Sequence, residues 1–288
     1  MTASHSRFFR SLSALVVGLS CNLLWAQTPA DMKISARDTA GHGLLCEYQG
    51  KRVLMLAGGP EEMGAAHGRL LKGSVQGVTQ GTMYLVGTGY SVSKSDWFFD
   101  RMDEVFRRAL PHTPERFIRE CDAMSRTAGI SIRDGRTANF FPELFHCSGV
   151  AVRNAASADG MVIHARVLDY MRDIHLQKYA AIQLWMPTGY HAWLSLGYGG
   201  FIGTVTCMNE KGLAIGEMGG AGEGAWDGMP MNMLLRDAME RAATVPEALE
   251  LMRKAPRTCE YYYVLSDAQR NIAGVYATPD VFEVVNAG

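Results

Sequence analysis

The chain has 288 residues, enough for one large domain or two small ones, and 48% of them are apolar, which suffices for a real core. Lysine and arginine number 28 against 29 aspartates and glutamates, a formal net charge of -1. With no long basic run either, this balance excludes an electrostatic footprint for nucleic acid or an anionic membrane surface, so the partner expected is a small molecule.

The first residues carry Arg7 and Arg10, then an apolar run over 12–25 that ends at Ala26-Gln27. Charged, apolar and cleavage regions in that order read as a secretory signal peptide, residues 1–26, cut near Ala26. The run is shorter than the roughly 20 residues a bilayer span requires. Export to a periplasm or to the outside follows, with no membrane attachment once the signal is removed. Export leaves Cys46, Cys121, Cys147, Cys207 and Cys259, an odd set in a disulfide-forming compartment, so at least one thiol has no intramolecular partner. Their spacings contain no CxxC and no zinc-like pairing, and neither a metal nor another cofactor is expected.

Residues 51–57 read as a short strand. Pro60-Glu61-Glu62 opens a helix, with proline and acids in the first turn where the backbone dipole favours them. Ser93 and Asp96 read as a capping pair before Trp97, Phe98, Met102, Val105 and Phe106, apolar at helical spacing. Another helix follows Pro114 and stops near Gly129. After Cys147 the period changes. Apolar runs at 179–186, 191–196, 201–207 and 213–218, separated by Gly, Pro and Asn turns, read as strands of an antiparallel sheet. Residues 229–242 and 246–254 read as helices, and 261–266, 272–276 and 281–285 return to strand. The order implies α+β, with helices layered on stacked sheets. The single compositional boundary, near Phe145, reads as a processing site.

Cys147 begins an apolar, β-prone run that turns at Ser157-Ala158-Asp159-Gly160 and returns through Met161 to Arg166-Val167-Leu168-Asp169-Tyr170. The pattern predicts a hairpin. With the loop at 157–160, simple pairing sets Ser148 opposite Asp169 and Cys147 opposite Tyr170. A thiol, a carboxylate and Arg166 then gather at one hairpin end. Arg166 and Asp169 differ in strand parity, so both can face the thiol only where the strand bulges or bends.

Cys147-Ser148-Gly149, then Asp159-Gly160, then Arg166-Val167-Leu168-Asp169-Tyr170 resembles the opening of cysteine N-terminal-nucleophile hydrolases, above all the peptidase C45 group that includes acyl-coenzyme A:6-aminopenicillanate acyltransferase. Choloylglycine hydrolases and acid-ceramidase-like amidases are more distantly similar. Upstream, the stretch from Ala57-Gly58-Gly59-Pro60-Glu61-Glu62 to His67-Gly68 resembles the propeptide region of that group. Downstream, the stretch from Gly203-Thr204 through Asn209-Glu210-Lys211-Gly212-Leu213-Ala214 resembles its strand-turn-strand.

The resemblance implies an αββα sandwich preceded by a mainly helical propeptide, residues 27–146. The catalytic region would begin at Cys147, and the two cleaved parts would associate. It further implies cleavage between His146 and Cys147. The freed α-amine, with an ordinary pKa of roughly 7.7 to 8.0, would take the thiol proton and later return it to the leaving amine. Asp169 would hold the ammonium and Arg166 would favour the thiolate. A backbone N-H at Gly219 would serve the oxyanion, since glycine lets the chain approach a ligand closely. Asn209 is a further candidate from the same motif, although Asn-Glu-Lys-Gly is also an ordinary tight turn.

The activity implied is hydrolysis of a linear amide, or acyl transfer from one, through a thioester. A Cys-His pair using His164 or His191 without cleavage, and an inactive exported binding scaffold, are the alternatives. The family pattern continues into a Thr-Asn segment past the last residues, Asn286-Ala287-Gly288, so the chain is expected to be a piece of a longer protein. Tyr276 stands where the family has Glu.

Overall fold

The computed structural model describes residues 32–140, 147–169, 172–220 and 224–286. The signal-like segment, His146, Tyr170, Ala287 and Gly288 therefore lie outside the described residues. Strands β1 (Lys33–Arg37), β2 (Gly43–Tyr48) and β3 (Lys51–Gly58) come first, followed by helices α1 (Pro60–Leu70) and α2 (Lys72–Gln76). A π-helical turn, Gly77–Thr82, leads into α3 (Met83–Lys94), α4 (Phe98–Ala109), α5 (Glu115–Ala128) and α6 (Ile132–Phe140). The hairpin β4 (Cys147–Asn154) and β5 (Gly160–Leu168) is next, then β6 (Ala180–Pro187), β7 (Trp193–Tyr198), β8 (Thr206–Asn209) and β9 (Ala214–Gly219). Helices α7 (Met231–Arg241) and α8 (Val245–Lys254) precede β10 (Tyr261–Ser266), β11 (Ile272–Ala277) and β12 (Phe282–Asn286).

One ten-stranded sheet runs in the order β1-β2-β3-β6-β7-β8-β9-β10-β11-β12. Its neighbours are antiparallel except β3 and β6, which run parallel with Val53 beside Ile182 and Leu56 beside Trp185. The stacked sheets were expected to be antiparallel throughout; the parallel pair arises because everything from α1 to β5 intervenes between its two strands, and parallel neighbours need such a crossover. Strands β1 and β2 were not foreseen, and with β3 they bring the 27–146 region into the main sheet.

Alternation divides that sheet into two faces. Leu54, Leu56, Trp185, Trp193, Ile215, Tyr263, Leu265 and Val275 are buried in one core with Met63, Phe117, Met124, Leu234, Leu235 and Met252 of the helices. On the other face the β4–β5 hairpin lies against β9, β10 and β11. Gly149 permits this approach: a Cβ there would come within 2.6 Å of the Met218 sulfur. The architecture is thus α+β, with helices over a large sheet and a second sheet stacked on it, consistent with the αββα sandwich. The hairpin's outer side leaves Val150, Met161, Ile163 and Val167 exposed.

Most element boundaries fall within a residue or two of the sequence pattern. At the start of α4 the expected Ser93 and Asp96 caps do not serve: Ser93 is still inside α3, and the Phe98 N-H donates to Ser91 Oγ at 3.0 Å. Helix α5 ends at Gly129 in the left-handed conformation, φ 73°, as a glycine stop should. β8 begins at Thr206, later than the apolar run from 201 implies.

Candidate active site

The hairpin register differs from simple pairing by two residues. Cys147 faces Leu168, Ser148 faces Val167 and Gly149 faces Arg166, with an irregularity between Val152 and Asn154. Asn154 takes a positive φ of 53° there, a conformation asparagine tolerates better than most residues. The shift has a chemical consequence. Strand β5 ends at Leu168, so Asp169 lies just beyond it with its side chain exposed, and it is the Asp169 backbone N-H that donates to the Cys147 sulfur.

Arg166 points inward. Its Nη2 donates to Cys147 Sγ at 2.9 Å and to Glu217 Oε2 at 3.0 Å, its Nε to the Glu217 carbonyl at 2.9 Å, and its Nη1 to Thr206 Oγ1 at 3.1 Å. The Arg166 and Glu217 side chains are 2% and 0% exposed. A guanidinium held on three sides has little freedom to leave the sulfur, and its charge acts in a medium of low effective dielectric. Gly216 makes room for it, because a Cβ at that position would meet Arg166 Cγ at 2.9 Å.

Burial pushes the Cys147 thiol above its ordinary pKa. The Asp169 N-H and the Arg166 charge pull it down, while the Glu217 and Asp169 carboxylates push it up. The thiol is half-buried, and the other four described cysteines are buried. Burial drives Cys121 and Cys207 up to about 12, leaving them inert as nucleophiles.

The remaining candidates separate. Gly219 closes β9 opposite Tyr261 and follows Met218, whose sulfur underlies Gly149, so it stands beside the strand that Cys147 begins. The neighbouring Gly220 N-H is already given to the Glu260 carbonyl at 3.0 Å. Asn209 is built into a turn instead. Its Oδ1 accepts from the N-H groups of Lys211 and Leu213, and its Nδ2 donates to the carbonyls of Met239 and Ala242 at the end of α7. All of its bonds go to backbone, and none to the groups around Cys147.

His164 does not pair with the thiol. Its Nδ1 lies 2.9 Å from Ser266 Oγ, and burial lowers its pKa. His191 approaches Glu210 at 3.5 Å. His67 is fully buried under Trp185, accepts the Gly200 N-H on Nε2 at 3.0 Å, and is held down to about 3, by burial first and the Arg236 charge second. Glu217 is the site residue that the sequence pattern did not reveal. Alternation assigns it to the helix-side face with Ile215, and its partner Arg166 lies 51 residues away. Among the described residues no cluster of His, Cys, Asp and Glu could hold a metal ion, and no helix is long and apolar enough to cross a membrane.

Comparison with known proteins agrees with the resemblance carried by the motifs. The chain is similar to Protein dcd1B of Dictyostelium discoideum, 26% identical over 246 residues that cover 77% of this chain and 49% of that protein. Protein dcd1A of the same organism is 24% identical over 249 residues, 76% of this chain and 56% of that protein. The chain thus spans about half the length of the curated relatives it matches. Among solved structures it is similar to the Caenorhabditis elegans N-acylethanolamine-hydrolyzing acid amidase ortholog, at 18% identity and a TM-score of 0.39, covering 49% of this chain and 64% of that one. Residues 158–282, which include Arg166, Asp169, Asn209, Glu217 and Gly219, match the model of the family described as acyl-coenzyme A:6-aminopenicillanic acid acyl-transferase.

Proposed function

We propose that this protein is an exported, self-cleaving amidase or acyltransferase acting on a linear amide through a thioester on Cys147. The observation that carries the reading is the thiol 2.9 Å from a buried guanidinium that a buried carboxylate holds in place. That arrangement stabilises sulfur once its proton has gone, but it supplies no base. With His164 turned to Ser266, the remaining base is the amine that Cys147 gains when water cleaves the peptide bond before it.

In the cleaved enzyme the amine takes the thiol proton and the sulfur attacks the acyl carbonyl. Collapse of the tetrahedral intermediate breaks the C-N bond as the ammonium returns the proton to the leaving amine. Water, or a second amine, then attacks the thioester and regenerates the thiol. Hydrolysis is favoured in an aqueous compartment.

Intact mass and N-terminal sequencing of purified protein test this directly. The expected product is a fragment starting at Cys147, absent in Cys147→Ala, whose amide turnover falls to background. An unbroken chain that hydrolyses amides at the wild-type rate identifies an uncleaved thiol hydrolase, and an unbroken, inert chain identifies a binding scaffold; either result overturns the proposal.

A further inference from the structure

Thr206 opens β8 opposite Gly216 of β9, on the hairpin's side of the sheet, while its neighbour Cys207 is buried in the helix-side core. Gly216 has no side chain to intervene, and the stem of Arg166 fills that space. The Thr206 hydroxyl thereby meets the guanidinium and accepts from Nη1 at 3.1 Å. Together with Arg166, Leu168, Ile182 and Leu196 it lines a cavity of about 590 Å³ beside the hairpin, and no Asp or Glu lines that cavity.

The N-H bonds of a guanidinium point in fixed directions, so the partners of some fix the place of the rest. Nε and Nη2 of Arg166 form one fork, and Glu217 takes it with its carbonyl and its carboxylate. The second proton of Nη2 goes to the Cys147 sulfur and a proton of Nη1 to Thr206. Sulfur and hydroxyl are therefore neighbours across the end of one guanidinium, roughly 4–6 Å apart. A carbonyl carbon in contact with the sulfur can then place its oxygen within hydrogen-bond reach of the hydroxyl. A threonine hydroxyl both accepts and donates. Thr206 Oγ1 accepts from Arg166, and its own proton has no acceptor among the described residues. Accepting from a cation makes that proton a stronger donor.

We propose that Thr206 is a catalytic residue whose hydroxyl donates a hydrogen bond to the substrate's carbonyl oxygen as that oxygen gains negative charge. The proposal rests on the Cys147 chemistry given above. In the attack the sulfur-carbon bond forms and the π pair of the carbonyl moves to oxygen, while the Thr206 proton stays on Oγ1 and its hydrogen bond strengthens. Collapse returns the pair and breaks the C-N bond. A donor that meets a neutral carbonyl weakly and an oxyanion strongly acts on kcat more than on KM.

The test compares the full wild-type chain with Thr206→Val, which removes the hydroxyl at nearly constant shape, and Thr206→Ser, which keeps it. On hexanoyl anilide, Thr206→Val should lower kcat about a hundred-fold with KM little changed, and Thr206→Ser should stay within about three-fold of wild type. Thr206→Val also frees Arg166 Nη1, so a second readout separates a donor to substrate from a support for the guanidinium. Hexanal adds to the thiol as a hemithioacetal whose oxygen takes the oxyanion position, whereas iodoacetamide alkylates the sulfur through a saturated carbon. Thr206→Val should bind hexanal about ten-fold more weakly and be alkylated at the wild-type rate. Unchanged hexanal affinity, a loss that serine does not restore, or alkylation that falls in step with hexanal affinity overturns the inference. Both probes act on the thiol whether or not the chain is cut, so they decide the role of Thr206 by themselves. Failure of the self-cleaving function shows separately, as an unbroken wild-type chain.

Discussion

Two buried arginines make four hydrogen bonds each and serve opposite ends. Arg236, on α7, gives three of its four to carboxylates, two to Glu120 and one to Glu240, with the last to the Ile202 carbonyl. It is flanked by the rings of Phe117, Trp185 and Trp193. Arg166 gives one bond to a carboxylate and one to a thiol, with the rest to a hydroxyl and a carbonyl. The first cation is fully neutralised and ties α5 to α7. The second, on the function proposed above, faces a group that becomes an anion only when it reacts. A buried arginine thus signals structure or chemistry according to what accepts its protons.

The largest effect that would break this contrast is at Arg236. Arg236→Met strands the buried Glu120 and leaves Glu240 to Arg116 alone, and should cost about 3–5 kcal/mol in urea unfolding. Arg166→Met should lower turnover by about a hundred-fold, the scale of losing one transition-state donor. It also removes the Arg166 hydrogen bond from the buried Glu217 carboxylate, so the sharper experiment is the pair Arg166→Met with Glu217→Gln, in which stability should recover and turnover should not. If both single variants lose stability and turnover in the same proportion, the distinction fails.

Asn209→Ala removes four backbone contacts and should cost about 2–3 kcal/mol of stability while leaving turnover per folded molecule unchanged. A drop in rate without a drop in stability would return Asn209 to the site.

His67 gives the smallest effect, and it depends on pH. Its pKa is about 3 when folded against an ordinary 6.5, so the unfolded chain takes up the proton first. Stability from this residue is full above pH 6.5 and is lost as pH falls towards 3, by about 2 kcal/mol at pH 5. His67→Gln, whose amide oxygen can still accept the Gly200 N-H, should flatten the acid limb of a melting-temperature profile. An unchanged slope would mean that His67 is not the group responsible.

Much of this was legible in the residues. Period-two runs after Cys147 gave strands β6 to β12 to within about two residues, apart from the late start of β8, because each carries its alternation within itself. The hairpin was legible too, but its register was not, since a single irregularity near Asn154 moves every pair. That shift turned Asp169 from an expected facing carboxylate into a backbone donor at the strand end. Glu217 left no local trace, because its significance is a meeting with Arg166 across the sheet's thickness. Strands β1 and β2 were hidden for a related reason: Lys33–Arg37 is largely exposed and polar, and only the neighbouring β2 gives it a ladder.

The parallel contact between β3 and β6 has an implication for any cut before Cys147. It joins the third and fourth strands of the ten-stranded ladder, one from each side of the nick, so neither product could depart without opening the sheet between them. A severed chain of this design behaves as one body with an extra pair of termini, and separately expressed halves would have to find each other before either acquired its shape.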